Sequence, residues 1–195
     1  MKARILIALF VLRVASPLMG QTADQVIDSL GLLELRADQV REYVSGKLLP
    51  GLDPEYSGKS AIDYFRGREG QQAKLQVSHK DGKVTGVSWW FDGDALPAPK
   101  LAELQKAIEM GLHRAGFVII QTSASVGPTT LFGDAVIKPS KDAVLIATVF
   151  AKKDTNTVVE FYLELPTQES KVKEPATLWV SLRPNAYLGA TIYHD

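Results

Sequence analysis

Apolar and polar residues alternate along residues 73–78 and again along residues 87–91. A period of two is typical of a β-strand with one buried face. The two runs are separated by Lys80-Asp81-Gly82-Lys83, whose glycine can adopt the positive φ that a tight turn needs. The pattern predicts an antiparallel hairpin in which Trp89 enters the core. Trp90, its neighbour, must then lie on the opposite face.

The pattern changes to a helical period over residues 99–115, where apolar residues recur at spacings of three and four. These residues are Leu101, Leu104, Ile108, Leu112 and Ala115. Gly116 follows directly, at a position where glycine often ends a helix. The segment is predicted to be an amphipathic helix with one face against the core.

Alternation returns after Gly116 and continues to the C-terminus. Strands are predicted at residues 117–121, 130–137, 145–150, 159–165, 177–182 and 187–193. The runs 145–150 and 159–165 are separated by a short polar stretch, which predicts a second antiparallel hairpin with one face on the core.

The N-terminal part is predicted to be helical, because Ala23-Asp24-Gln25-Val26 recurs as Ala37-Asp38-Gln39-Val40 and a glycine follows each copy. Residues 48–70 are irregular, with one helical turn predicted at 61–65. The order of elements predicts an α+β fold. The N-terminal helices and the amphipathic helix pack on a mostly antiparallel sheet, which can be curved.

The first residues have the layout of a secretory signal peptide. Lys2 and Arg4 precede an apolar run over residues 5–12, and Arg13 interrupts that run. A membrane-spanning helix needs about 20 apolar residues, so we expect no stable membrane anchor. The protein is therefore predicted to be exported, to the periplasm or the cell exterior.

Signal cleavage is expected after Gly20, which leaves residues 21–195 as a single α+β domain. Cleavage after Ser16 is the alternative, although Pro17 would then follow the cut. Gln21 stands where a lipoprotein would carry a lipid-bearing cysteine, so no lipid anchor is expected.

The charge balance argues against nucleic acid as a partner. The chain has 22 basic and 22 acidic residues, and loss of the signal peptide leaves 19 basic against 22 acidic groups, a formal charge of −3. Nonspecific nucleic-acid binding needs a basic surface. The chain contains no cysteine, so its stability requires no disulfide.

Two aromatic and two arginine side chains lie close together in residues 63–69. Tyr64, Arg66 and Arg68 have the chemistry to hold an anion or a planar ligand. The favoured alternative is structural: the aromatic rings pack on the core while the arginines pair with Asp63 and Glu69.

Asp92 and Asp94 flank Gly93 directly after the two tryptophans. Paired carboxylates can bind a divalent cation or act as acid and base in a glycosidase-like site. The favoured alternative is a loop between strand and helix, where an aspartate can cap the helix.

Recognised catalytic motifs are absent from the sequence, which has no nucleophile elbow, zinc motif or nucleotide-binding loop. The three histidines, His79, His113 and His194, lie far apart in the chain. We therefore expect no catalytic residue, no metal and no cofactor.

The sequence favours an exported, noncatalytic binding or protein-interaction module. Its partner would be a protein or a small ligand, and Trp90 is the first candidate contact residue. Two alternatives remain open at this stage. One is a small secreted hydrolase that uses Asp92 and Asp94, and the other is a structural subunit that forms a homo-oligomer through the Trp90 face.

Overall fold

In the computed structural model of the protein, the described residues are 17–48, 62–66, 73–92, 96–126, 129–130, 136–137, 143–152, 155, 157–166 and 176–184. The α-helices are α1 (Pro17–Asp28), α2 (Val40–Tyr43) and α3 (Ala98–Arg114). The strands are β1 (Ile62–Arg66), β2 (Ala73–Lys80), β3 (Lys83–Asp92), β4 (Val118–Val126), β5 (Thr129–Thr130), β6 (Val136–Ile137), β7 (Ala143–Ala151), β8 (Thr157–Pro166) and β9 (Thr177–Pro184).

Seven of these strands form one open sheet in the order β1-β2-β3-β9-β8-β7-β4. Every neighbouring pair in it is antiparallel. α1 and α3 pack together, and α3 contacts β8 and β9 on one face of the sheet. The predicted α+β class with helices on an antiparallel sheet is confirmed.

The predicted hairpin of β2 and β3 is confirmed. Asp81 and Gly82 both have positive φ, 53° and 74°, which is the backbone of a tight two-residue turn. Leu75 pairs with Trp89 and Val77 pairs with Val87, and all four side chains are buried. The period of two thus places the apolar half of each strand on the helices.

The predicted helical turn at residues 61–65 is wrong, because this segment forms β1. β1 pairs along its whole length with β2, and its Phe65 is buried beside Leu75. A helix of one turn is unstable alone since few of its backbone groups are bonded. Pairing with an existing strand satisfies the same groups and buries an aromatic ring.

The hairpin of β7 and β8 is confirmed, with Phe150 opposite Val159 on the helix side. The expectation that only one of its faces is buried is wrong, because Ala147 and Tyr162 on the other side are buried as well. The strand predicted at 130–137 is instead two short strands, β5 and β6, that pair with each other in a separate sheet. The strand predicted at 187–193 lies outside the described residues.

The N-terminal helical region is less regular than its repeat predicts. After α1 come 3-10 turns at Ser29–Glu34 and Ala37–Gln39, then α2 and one π-helical turn at Val44–Leu48. The Tyr43 hydroxyl donates a hydrogen bond to the Asp28 carbonyl at 2.9 Å, which ties the two copies together.

The core lies between the helices and one face of the sheet. Its α3 members are Leu101, Leu104, Ile108 and Leu112, as the helical spacing predicts. Trp89 has no exposed surface, and its Nε1 donates a hydrogen bond to Ser29 Oγ at 3.0 Å. Within the described part of the chain, no helix has the length and apolar character needed to cross a membrane.

Candidate contact surface

The alternation of β3 assigns its adjacent tryptophans to opposite sides of the sheet, as the sequence predicts. Trp89 faces the helices, and Trp90 is half-buried on the other side. The backbone register pairs Trp90 with Trp179 of β9, and Trp179 with Tyr162 of β8. These three residues form an aromatic row across the middle of the sheet, on the side that we call the second face.

The rings of the aromatic row pack on one another. The centroids of Trp90 and Trp179 are 5.4 Å apart with 23° between the planes, and those of Trp179 and Tyr162 are 5.4 Å apart with 47°. Offset stacks of this kind are favourable. Trp90 and Trp179 are thus stacked, while Tyr162 is tilted against Trp179.

Trp179 carries an unsatisfied polar atom. Its Nε1 is buried and has no hydrogen-bond partner. A buried donor without an acceptor costs about 1–3 kcal/mol. The indole of Trp89 forms the opposite case, because its Nε1 has a serine oxygen in reach. The second face therefore contains a buried donor that no described residue satisfies.

One end of the aromatic row joins a buried charged cluster. The Glu160 side chain is 3% exposed, its Oε2 accepts a hydrogen bond from the Tyr162 hydroxyl at 2.9 Å, and its Oε1 forms an ion pair with Arg183. Burial, followed by the Glu160 charge and this hydrogen bond, raises the pKa of Tyr162 far above its ordinary value of 10.0. Tyr162 thus keeps its proton and remains a donor to Glu160.

A polar row borders the aromatic row on the second face. Gln76, Ser88, Ser181 and Glu160 are paired in register across β2, β3, β9 and β8. Beyond Tyr162, the small side chain of Ala147 and that of Leu145 form a buried apolar cluster with the tyrosine. An apolar centre with a polar border is the composition of many protein interfaces.

The sequence-predicted site residues are only partly brought together. Trp90 lies in the aromatic row. The structure describes Tyr64 and Arg66 by their backbone, which pairs with Gln76 and Lys74 of β2. Lys74 pairs in turn with Trp90. The line of paired backbone positions that contains the aromatic row therefore extends across β2 to Arg66 of β1. Arg68 lies outside the described residues.

The structure describes only the backbone of Asp92 from the predicted carboxylate pair, so the pair stays a prediction. Asp92 is the last residue of β3, where its backbone pairs with Thr177, and Asp94 lies outside the described residues. The suggested helix cap is wrong, because α3 has Pro97 at its N-cap and no side-chain cap. Proline pre-sets a helical φ but has no side-chain acceptor for the free N–H groups.

The histidines described by the structure have separate local partners. His79 Nε2 lies 3.5 Å from the buried Asp63 carboxylate, and His113 Nδ1 lies 3.1 Å from the Phe117 carbonyl. Across the described residues, no group of three or more His, Asp or Glu side chains is arranged to hold a metal ion.

Sequence reasoning missed Trp179, Glu160 and Arg183 as site residues. The alternation along β8 places Glu160 and Tyr162 on one face, and the sequence alone predicts this. Their meeting with Trp179 depends on β9 lying between β3 and β8. No local pattern encodes that neighbour relation.

Comparisons with protein-family models, with curated proteins and with solved structures find no match to this chain. The geometry of the second face is therefore the basis for any function assigned to it.

Proposed function

We propose that the protein is an exported, noncatalytic interaction module that binds a protein partner through the second face of its sheet. The observation that supports this most strongly is the pair of half-buried, stacked tryptophans, Trp90 and Trp179, on the face opposite α1 and α3. Tryptophan is enriched among the residues that dominate binding energy at protein interfaces.

The ring arrangement leaves a contact area for a partner. Trp90 stacks on Trp179 through one face of its ring. The rest of the half-buried Trp90 indole is the part that a partner can contact.

The border of the aromatic row supports the same partner class. Ser88 and Ser181 are half-buried beside the aromatic row and can donate to or accept from peptide groups. The charged groups next to them, Glu160 and Arg183, already pair with each other. The centre of the surface is thus apolar and uncharged, as in the core of a protein interface.

The test is a selection of displayed random peptides on the purified parent protein, after which the affinity of each enriched peptide is measured for the parent and for a Trp90→Ala variant. We expect a family of peptides that binds the parent chain and loses affinity about tenfold or more on Trp90→Ala, the size of a typical contact anchor. Met110→Ala is the matched control, because Met110 is 52% exposed on α3. Peptides that bind Trp90→Ala as well as the parent would contradict the proposal.

A further inference from the structure

β4 is an outer strand of the sheet, and it is unusually unprotected. Its nine residues include no charged residue, no proline and no glycine. Outer strands carry unpaired N–H and C=O groups, and natural proteins usually protect them with charges, prolines or a covering element. β4 has no charge and no proline, and its bulge, between Ile119 and Gln121, lies near its first residue, so residues 121–126 pair regularly with β7.

Both sides of β4 are open to solvent. Val118 is 58% exposed and Ile119 is 47% exposed, although they point to opposite faces of the sheet. Gln121, Thr122 and Ala124 are exposed as well. Neither the helices nor the second face of the sheet therefore covers this strand, and two large apolar side chains remain in water.

The opposite outer strand is different. β1 has only five residues, among them Asp63 and Arg66, and both Asp63 and Phe65 are buried. A short strand that carries charges is a poor template for another strand. Only one edge of the seven-stranded sheet thus has the features of a pairing surface.

We propose that β4 pairs antiparallel with β4 of a second copy of this chain, giving a homodimer with one continuous sheet. This inference is independent of the binding role of the second face. Two antiparallel copies of one strand are related by a two-fold axis. The unpaired backbone N–H groups of each copy can therefore meet C=O groups of the other. The pairing brings no like charges together, because β4 has none.

The charge of the whole chain supports a second copy as the occupant. The mature chain expected after cleavage has a formal charge of only −3, so long-range repulsion between two copies is weak. A charged foreign strand would find no opposite charge on β4. With the two-fold axis at Thr122, Val118 lies opposite Val126 of the second copy and Ile119 opposite its Ser125, so one of the two exposed apolar residues meets an apolar partner.

The first measurement is the mass in solution, by sedimentation equilibrium over a wide range of protein concentrations. We expect a reversible dimer with twice the mass of the purified chain. A monomer at every concentration would overturn the proposal.

The second measurement uses charge at the centre of β4. Thr122 is exposed and stands midway between Val118 and Val126, so a two-fold axis brings position 122 of each copy close to the other. Thr122→Lys and Thr122→Glu should each raise the dimer dissociation constant about tenfold or more through like-charge repulsion. An equimolar mixture of the two variants should restore a dimer.

Either variant could lose the dimer because it is less stable rather than because of repulsion. The equimolar mixture distinguishes the two causes, because the opposite charges can restore the dimer only if the two β4 strands lie next to each other. Ala102→Lys, which adds the same charge on exposed α3, should leave the dimer intact. Trp90→Ala should also leave it intact. Loss of the dimer on Trp90→Ala, or no rescue in the mixture, would overturn the proposal.

Discussion

Trp89 and Trp90 are neighbours in the chain but differ in burial. Trp89 has no exposed surface, whereas Trp90 is half-buried on the other face of the sheet. Trp89 is enclosed by the core and hydrogen-bonded to Ser29. Among the residues that the structure describes, Trp90 stacks on one aromatic neighbour, Trp179. The two residues thus contribute differently to folding, because the energy lost on truncation depends on how completely a side chain is enclosed.

Trp89→Ala should lower the free energy of unfolding by about 3–5 kcal/mol, because it leaves a large cavity and a serine hydroxyl without its donor. Trp90→Ala should cost about 1–2 kcal/mol, from half-burial and one aromatic stack. Urea unfolding of both variants measures the difference. Equal losses would mean that Trp90 is enclosed as fully as Trp89.

Tyr162, on the second face, makes the stability of the protein depend on pH. Its pKa is raised in the folded protein, so above pH 10.0 the unfolded chain loses a proton that the folded chain keeps. Stability from this group is complete below pH 10.0 and declines as the pH rises above it, by up to about 1.4 kcal/mol per pH unit.

Tyr162→Phe should remove this alkaline decline. At neutral pH the variant should be about 1–3 kcal/mol less stable, since Glu160 loses a buried donor. The gap between parent and variant should then narrow as the pH rises above 10.0. Urea unfolding across this range measures the gap, and parallel pH profiles for the two proteins would contradict the assignment.

At the scale of the elements, the turn between β2 and β3 decides which side chains reach the second face. Gly82 has a φ of 74°, which an alanine adopts only under strain. Gly82→Ala should lower stability by about 1 kcal/mol or more. Gly46→Ala is the matched control, because a Cβ there meets nothing within 4 Å, and it should leave stability unchanged or higher. If Gly82→Ala and Gly46→Ala change the melting temperature equally, the positive φ of Gly82 does not limit which residue the turn accepts.

The sequence predicts those elements whose signal is local. The hairpin of β2 and β3, helix α3 and the hairpin of β7 and β8 each follow from a hydrophobic period within one segment. The strand β1 was missed because its pairing with β2 outweighs the local tendency of a five-residue segment. In a segment this short, the neighbouring strand rather than the local sequence determines whether a helix or a strand forms.

The candidate site was predictable only at Trp90. The position of Trp179 beside it follows from β9 lying between β3 and β8, and β3 is distant in the chain from both. Pairing of distant strands depends on the whole core rather than on any one segment. For the same reason, the orphaned Nε1 and the pair of Glu160 with Arg183 appear only in the folded structure.

At the scale of the whole molecule, the proposed export must be compatible with the fold. α1 begins at Pro17, four residues before the expected first residue of the mature chain. Cleavage after Gly20 would shorten α1 by its first turn. The buried residues that the structure describes in α1, Ala23 and Val26, follow the cut, so the contacts of α1 with the core would remain.

We expect the exported chain to begin at or near Gln21. Mass spectrometry of the intact protein recovered from the periplasm or the medium measures this end directly. Retention of residues 1–20 in a membrane fraction would contradict both the cleavage site and the proposed export.

The central claim is that one face of the sheet serves folding and the other serves contact. The chain has three tryptophans, Trp89 on the first face and Trp90 and Trp179 on the second. Replacing them with 5-fluorotryptophan gives three fluorine resonances, which single Trp→Phe variants assign. On titration with a peptide enriched on the parent protein, the resonances of Trp90 and Trp179 should shift together while that of Trp89 stays in place. A shift of Trp89 alone, or no shift at saturating peptide, would contradict the account.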